Sequence, residues 1–162
     1  MSNKNVNWLE PDELAAWRTF IKFDSLLMAK LDADLMSLFS ISLAEYEVLV
    51  YLSEAPGMEL RMSALASLCL VSRSGLTRRL ERLMSEGSVE KVACETDRRG
   101  TNAQLTQKGY QRLVQAAPSH VDGVRKYFIS KFSKEDLCAF TRFLLPPLTA
   151  LEEFECPSSK CE

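Results

Sequence analysis

Ser72-Arg73-Ser74-Gly75-Leu76-Thr77-Arg78-Arg79-Leu80-Glu81-Arg82-Leu83-Met84-Ser85-Glu86-Gly87 is the stretch on which the fold turns. At 100° per residue, Leu76, Leu80 and Leu83 fall on one side of a helix, whereas Ser74, Thr77, Arg78, Glu81, Arg82 and Ser85 cover the other. Gly87 supplies the stop, because a left-handed residue after a helix costs glycine no steric penalty. The leucine side requires a core. The opposite side carries arginines and small hydroxyls, the groups that reach phosphate oxygens and guanine edges in a major groove wide enough for a helix. A solvated charged face has the same composition, so the flanking segments must discriminate.

Upstream, Met62 to Leu70 reads as a short helix separated from Arg73 by a break at Val71-Ser72, and two short helices joined tightly predict a helix-turn-helix. Ser42-Leu43-Ala44-Glu45 is a capping-box pattern that starts a helix closing near Pro56-Gly57. Pro11 opens a long amphipathic helix, residues 11–38, with Leu14, Trp17, Ile21, Met28, Leu31 and Leu35 at helical steps. Downstream of Gly87 the period changes to two. Ser88 to Cys94 and Thr101 to Thr106 read as strands, with Ala103 and Leu105 on one face and Asn102 and Gln104 on the other. The polar link Glu95-Thr96-Asp97-Arg98-Arg99-Gly100 fits a projecting hairpin loop. There, Arg98 and Arg99 suit a narrow minor groove and its enhanced negative potential. Residues 107–131 are helical with Pro118 as a kink or break, and Ser133-Lys134-Glu135-Asp136 starts a last helix. Leu137, Phe140, Leu144, Leu148 and Leu151 form the stripe of that helix, which Pro146-Pro147 must bend or terminate. The predicted class is mainly α with a small β-hairpin wing.

Composition narrows the function. A chain of 162 residues with 46% hydrophobic and 26% charged residues supports one core rather than a multidomain enzyme. No apolar run approaches eighteen residues and the N-terminus lacks a signal-peptide pattern, which predicts a soluble, cytoplasmic protein with no membrane partner. The net charge of −2 conceals an asymmetry. Arg61 to Arg112 holds ten basic and five acidic residues, a local +5, so the remainder carries −7. An anionic partner would dock at that basic middle. One histidine, with no Cys-x-x-Cys, phosphate-cradling glycine loop or metal-ligand spacing, argues against an enzyme, a cofactor and a metal site.

The quoted helix, the Asp97-Arg98-Arg99 loop and Leu105-Thr106-Gln107-Lys108-Gly109, with long helices at both ends, resemble the MarR family of bacterial winged-helix regulators from Leu9 to Leu151. Ser88 stands where that family usually places Leu or Ile, and Gly100 directly follows the loop motif. The resemblance implies that Ser72, Arg73, Ser74, Thr77, Arg78 and Arg82 face double-stranded DNA, with Arg99 as the wing arginine held by Asp97 beside Arg98. It also implies a homodimer of intertwined terminal helices acting as a repressor on a pseudo-palindromic operator. The expected organisation is a dimerisation helix at 1–40, a winged helix-turn-helix at 41–106, dimerisation helices at 107–155 and a flexible tail at 156–162. Apolar Trp8, Leu9, Leu14 and Trp17 at one end, with Tyr127, Phe128, Phe132, Phe140, Phe143 and Leu148 at the other, are more than a lone chain of this length can bury and agree with a surface covered by dimerisation. An interaction protein that has kept the fold without DNA binding is the less favoured alternative.

Two release signals are predicted. Five cysteines with no disulfide framework favour thiol oxidation, with Cys94, Cys156, Cys161 and Cys69 as candidate sensors. Burial as small hydrophobes is the simpler role for Cys69 and Cys138. The alternative signal is an aromatic or lipophilic ligand held between the dimerisation helices and the DNA-binding lobe, with Trp17, Phe20, Phe23, Tyr46 and His120 as lining candidates.

Overall fold

The computed structural model describes residues 6–93 and 100–154 and divides the chain into two compact units, Met1–Gly123 and Val124–Glu162. Its elements run α1 (Pro11–Phe39), α2 (Leu43–Glu54), β1 (Glu59–Arg61), α3 (Met62–Leu68), α4 (Arg73–Ser85), β2 (Val89–Ala93), β3 (Thr101–Leu105), α5 (Gln107–Tyr127) and α6 (Lys134–Phe154). The strands form one antiparallel sheet in the order β1-β3-β2. Mainly helical, with this small sheet as the wing, the chain is a winged helix-turn-helix, as the residue patterns predict.

Local chemistry sets the boundaries. The Ser42 hydroxyl accepts from the Glu45 amide while the Glu45 carboxylate accepts from the Ser42 amide, closing the predicted capping box of α2. Asp32 on α1 accepts from the Leu43 amide at 2.8 Å, which pins the start of α2 to the preceding helix. Between α3 and α4 the chain reverses through Leu70 at φ 51°, and Ser72 caps α4 by accepting from the Gly75 amide at 3.1 Å. Helix α3 therefore ends at Leu68, two residues before its predicted end at Leu70. Gly87, at φ 70°, turns the chain from α4 into the sheet as predicted.

Two expectations are corrected. Strand β1 went unpredicted because three residues carry no usable period; its pairing of Leu60 with Ala103 creates it. Helices α5 and α6 run through Pro118 and through Pro146-Pro147 without ending. Each proline removes one amide donor, which orphans the carbonyls of Val114, Arg142 and Phe143. Of the kink or break expected there, the break is what does not occur: all three prolines are exposed, where water can satisfy those carbonyls.

The core of the first unit gathers Leu35, Ile41, Val48, Leu49 and Leu52 with Leu65, Leu76, Leu80 and Leu83, and with Val89, Ala103 and Leu105 from the sheet. The C-terminal end of α4 is held by charge. Arg82 donates to Glu86 at 3.1 Å and to the Ser40 carbonyl at 2.6 Å, and lies 3.6 Å from the buried Glu45 carboxylate. Arg112 on α5 donates to Glu86 and, at 2.7 Å, to the same Ser40 carbonyl. One carboxylate and one carbonyl thus tie α4 and α5 to the end of α1. The wing is anchored by contact rather than charge: a Cβ built on Gly109 would stand 2.1 Å from the Ser88 carbonyl oxygen and 2.7 Å from Leu105. Ser88 itself is fully buried with its hydroxyl unpartnered, in the place where the family resemblance expects Leu or Ile.

In the second unit, Ser133 and Asp136 cap α6 reciprocally, and Phe128 packs edge-on against Phe132 and Phe140 at 5.3 and 5.4 Å. The stripe of α6 beyond Phe140 stays exposed, as do Trp8, Leu9 and Trp17. No single helix among the described residues is long and apolar enough to cross a membrane.

Gly109→Ala should destabilise the fold by about 3 kcal/mol, since the methyl meets backbone rather than a movable side chain; chemical denaturation checks this. Burial alone would raise the Glu86 carboxyl, but hydrogen bonds from Arg112 and Arg82 outweigh it and hold it below its ordinary value. The contribution of Glu86 is therefore complete above the ordinary carboxylate range and is lost as pH falls through the lowered folded value. The urea midpoint of Glu86→Gln should be lower than that of the wild type at neutral pH, with the gap closing in acid.

Candidate nucleic-acid interface

Helix α4 places its side chains as 3.6-residue spacing demands. Leu76, Leu80 and Leu83 are completely buried, and this fixes the rotation of the helix about its axis. Arg73, Ser74 and Arg78 are then exposed, Thr77 is half-buried, and the Ser72 cap is exposed at the helix start. Thr77 donates to the Arg73 carbonyl at 2.9 Å, while the Ser72 and Ser74 hydroxyls lie 3.0 Å apart. Among the described residues no ion pair engages Arg73 or Arg78, so two guanidinium groups extend from one helical face beside three small hydroxyls. The guanidinium groups can donate to phosphates and base edges together, and the Thr77 oxygen, its proton given to Arg73, can accept.

Arg82 follows the same helical period as Arg78 and also donates to Glu86 and the Ser40 carbonyl beside the Glu45 carboxylate, contacts that hold α4 in place. A helical wheel cannot see carboxylates brought in from other elements. Asp97, Arg98 and Arg99, with Cys94, lie outside the described residues, as do Cys156 and Cys161. What is described is their frame: β2 and β3 pair from Val89 opposite Leu105 to Ala93 opposite Thr101, the end at which residues 94–99 join the strands. Arg61 and Lys91, counted in the basic middle of the sequence but given no role there, lie beside Arg73 and Thr77 around one cleft.

The candidate sensors separate. Cys69, at the end of α3, is buried, as its simpler role predicts. Burial pushes its thiol up, with Arg79 pulling the other way. Cys138 on α6 is exposed, contrary to the expected burial, because Leu137 and Phe140, not Cys138, take the more covered side of the helix. The aromatic candidates fall into two groups. Trp17, Phe20 and Phe23 stand on the exposed part of α1, with the first two rings 6.4 Å apart. Tyr46 is buried on α2 with its ring 4.6 Å from that of His120 on α5. Desolvation lowers the pKa of His120, whose buried Nδ1 has no hydrogen-bond partner. Among the described residues no cluster of His, Cys, Asp or Glu could hold a metal ion.

Comparison with known proteins agrees with this geometry. A profile of the MarR family matches residues 39–100, from the end of α1 to the start of β3. The HTH-type transcriptional regulator PecS of Dickeya dadantii (strain 3937) is 31% identical over 114 residues, 69% of this chain and 68% of that protein. The crystal structure of AbsC, a MarR family transcriptional regulator from Streptomyces coelicolor, superposes with a TM-score of 0.87 at 37% identity, covering 91% of this chain and 99% of that one. A second MarR family regulator from the same organism, crystallised in complex with DNA, gives 0.86 at 33% identity, covering 96% and 95%. Similar in sequence through α4 and in structure over most of its length, the chain belongs to the MarR family of transcriptional regulators.

Proposed function

We propose that this regulator binds double-stranded DNA sequence-specifically as a homodimer and represses transcription from a pseudo-palindromic operator until a signal releases it. The observation that carries this reading is the face of α4, where Arg73, Ser74 and Arg78 are exposed by the burial of three leucines. The DNA-bound Streptomyces relative at 33% identity supports it. Helix α4 enters the major groove, and the β2–β3 wing carries Arg98 and Arg99, steadied by Asp97, to the adjacent minor groove.

Two unpartnered apolar surfaces support the homodimer. On α1, Trp17, Phe20 and Leu26 are exposed, and on α6 Phe143, Leu145, Leu148 and Leu151 are 51–67% exposed. A soluble monomer rarely carries contiguous apolar surface of this extent. Two-fold symmetry places operator half-sites about 10 base pairs apart.

Thiol oxidation is the release signal we favour, carried by Cys94, Cys156 and Cys161. Cys69 is the poorer nucleophile because burial favours its neutral thiol. One observation favours a ligand instead: His120 offers a buried, unpartnered ring nitrogen beside the Tyr46 ring, a ready polar contact for a small aromatic molecule.

Footprinting on the DNA upstream of its own gene should protect two half-sites about one helical turn apart. Arg78→Ala should cost about 1–3 kcal/mol of preference for that site over unrelated DNA while leaving the dimer intact in sedimentation. Peroxide should release the wild type but not a variant with Cys94, Cys156 and Cys161 changed to Ser; release of that variant by peroxide would rule out these thiols.

A further inference from the structure

Cys138 is a free thiol that meets solvent on a side of α6 carrying charge rather than leucines. Leu137, Phe140, Leu144, Leu148 and Leu151 lie about 80–160° away from it round the helix, so the stripe offered to a second copy and the thiol occupy different sides. Lys134 stands one turn before the thiol and Arg142 one turn after it, each with its Cβ about 5–6 Å from that of Cys138. Both cations are exposed, and with Cys138, Glu135 and Ala139 they line an open cleft of about 520 Å³. Among the described residues no ion pair engages either cation. The Arg142 guanidinium instead lies over the Phe143 ring, 5.2 Å from its centroid, a contact that leaves its charge uncompensated. Glu135 is the one carboxylate among these lining residues; its neighbour Asp136 is engaged at the helix start, where it accepts from the Ser133 amide and hydroxyl. Burial as a small hydrophobe, which accounts for Cys69, does not account for Cys138.

A nucleophile set between two cations, at a cleft of small-molecule size, selects among reagents by charge, because the field of the cations raises the local concentration of anions. We propose that Cys138 is a modification site for anionic low-molecular-weight disulfides of the glutathione type, whose carboxylates Lys134 and Arg142 draw to the thiol. The Cys138 thiolate, its proton lost to solvent, attacks one sulfur of the reagent. A bond from Cys138 Sγ to that sulfur forms as the bond between the two reagent sulfurs breaks, and the electron pair leaves on the departing thiolate. Cys138 is thereby oxidised and one half of the reagent reduced. The inference is independent of the release signal favoured above, since it requires neither DNA nor Cys94, Cys156 and Cys161.

The test treats the reduced full chain with oxidised glutathione, which is anionic, and separately with cystamine, a cationic disulfide of the same exchange chemistry. Mass spectrometry of the proteolytic peptide that holds Cys138 follows each rate. The ratio of the two rate constants cancels the reactivity of the thiol itself and leaves the selection by charge. For the Lys134→Gln/Arg142→Gln variant this ratio should fall about tenfold at low salt, and the difference from the wild type should disappear near about 1 M salt. Glu135→Gln should raise the ratio. Lys134→Arg/Arg142→Lys should keep it, which ties the effect to charge, and Lys22→Gln on α1 should leave it as it is. A double variant with the wild-type ratio, or a loss matched by Lys22→Gln, overturns the proposal. So does modification of Cys138 by oxidised glutathione in the urea-unfolded chain but not in the folded one, because the thiol would then be covered.

Discussion

Burial of Leu76, Leu80 and Leu83 is the constraint from which the rest of the interface follows. Each such side chain contributes about 1.5–3 kcal/mol when taken out of water, so turning α4 about its axis to present another face would expose three of them at once. With that rotation fixed, Arg73, Ser74 and Arg78 have nowhere to go but outward. The exposed face is the unburied remainder of a helix whose orientation the core has already determined. The Ser72 cap sets where this face begins and Gly87 where it ends, because a capping hydroxyl and a left-handed turn locate helix termini to within a residue or two.

Charge works at the other end of the same helix for a different purpose. Arg82 and Arg112 converge on Glu86 and on the carbonyl of Ser40, the left-handed residue that ends α1. Partly desolvated, these bonds are stronger than exposed surface pairs. They link the position of α4 to the helix that carries the exposed apolar stripe, so displacement of either helix is felt by the other. Close packing of Gly109 on the Ser88 carbonyl plays the corresponding part for the wing, since the sheet cannot move relative to α5 without losing that contact. Helix α4 and the wing are each tied in this way to a long helix.

The two apolar surfaces show what a single chain leaves undone. Of α1, only Leu31 and Leu35 are buried, near its C-terminal end, while Trp17, Phe20 and Leu26 face outward. Helix α6 likewise buries nothing of its own stripe beyond the cluster of Phe128, Phe132 and Phe140. Apolar periodicity in a sequence reports that a face will be covered but not by which chain.

Period and punctuation were legible without coordinates. The 3.6-residue leucine spacing of residues 73–86, the Ser42–Glu45 box, Gly87 and the two-residue alternation of Ala103 and Leu105 are local patterns, and local backbone sterics with one-sided burial suffice to turn them into a helix-turn-helix with a wing. What tertiary structure alone decided depends on residues distant in sequence. Glu45 and Ser40 captured Arg82, β1 came into being by pairing with β3, and Arg61, Arg73 and Lys91 met around one cleft. Helical period assigns a side chain to a face, but whether that face meets solvent, a carboxylate or another cation is set by long-range packing, which no local pattern encodes.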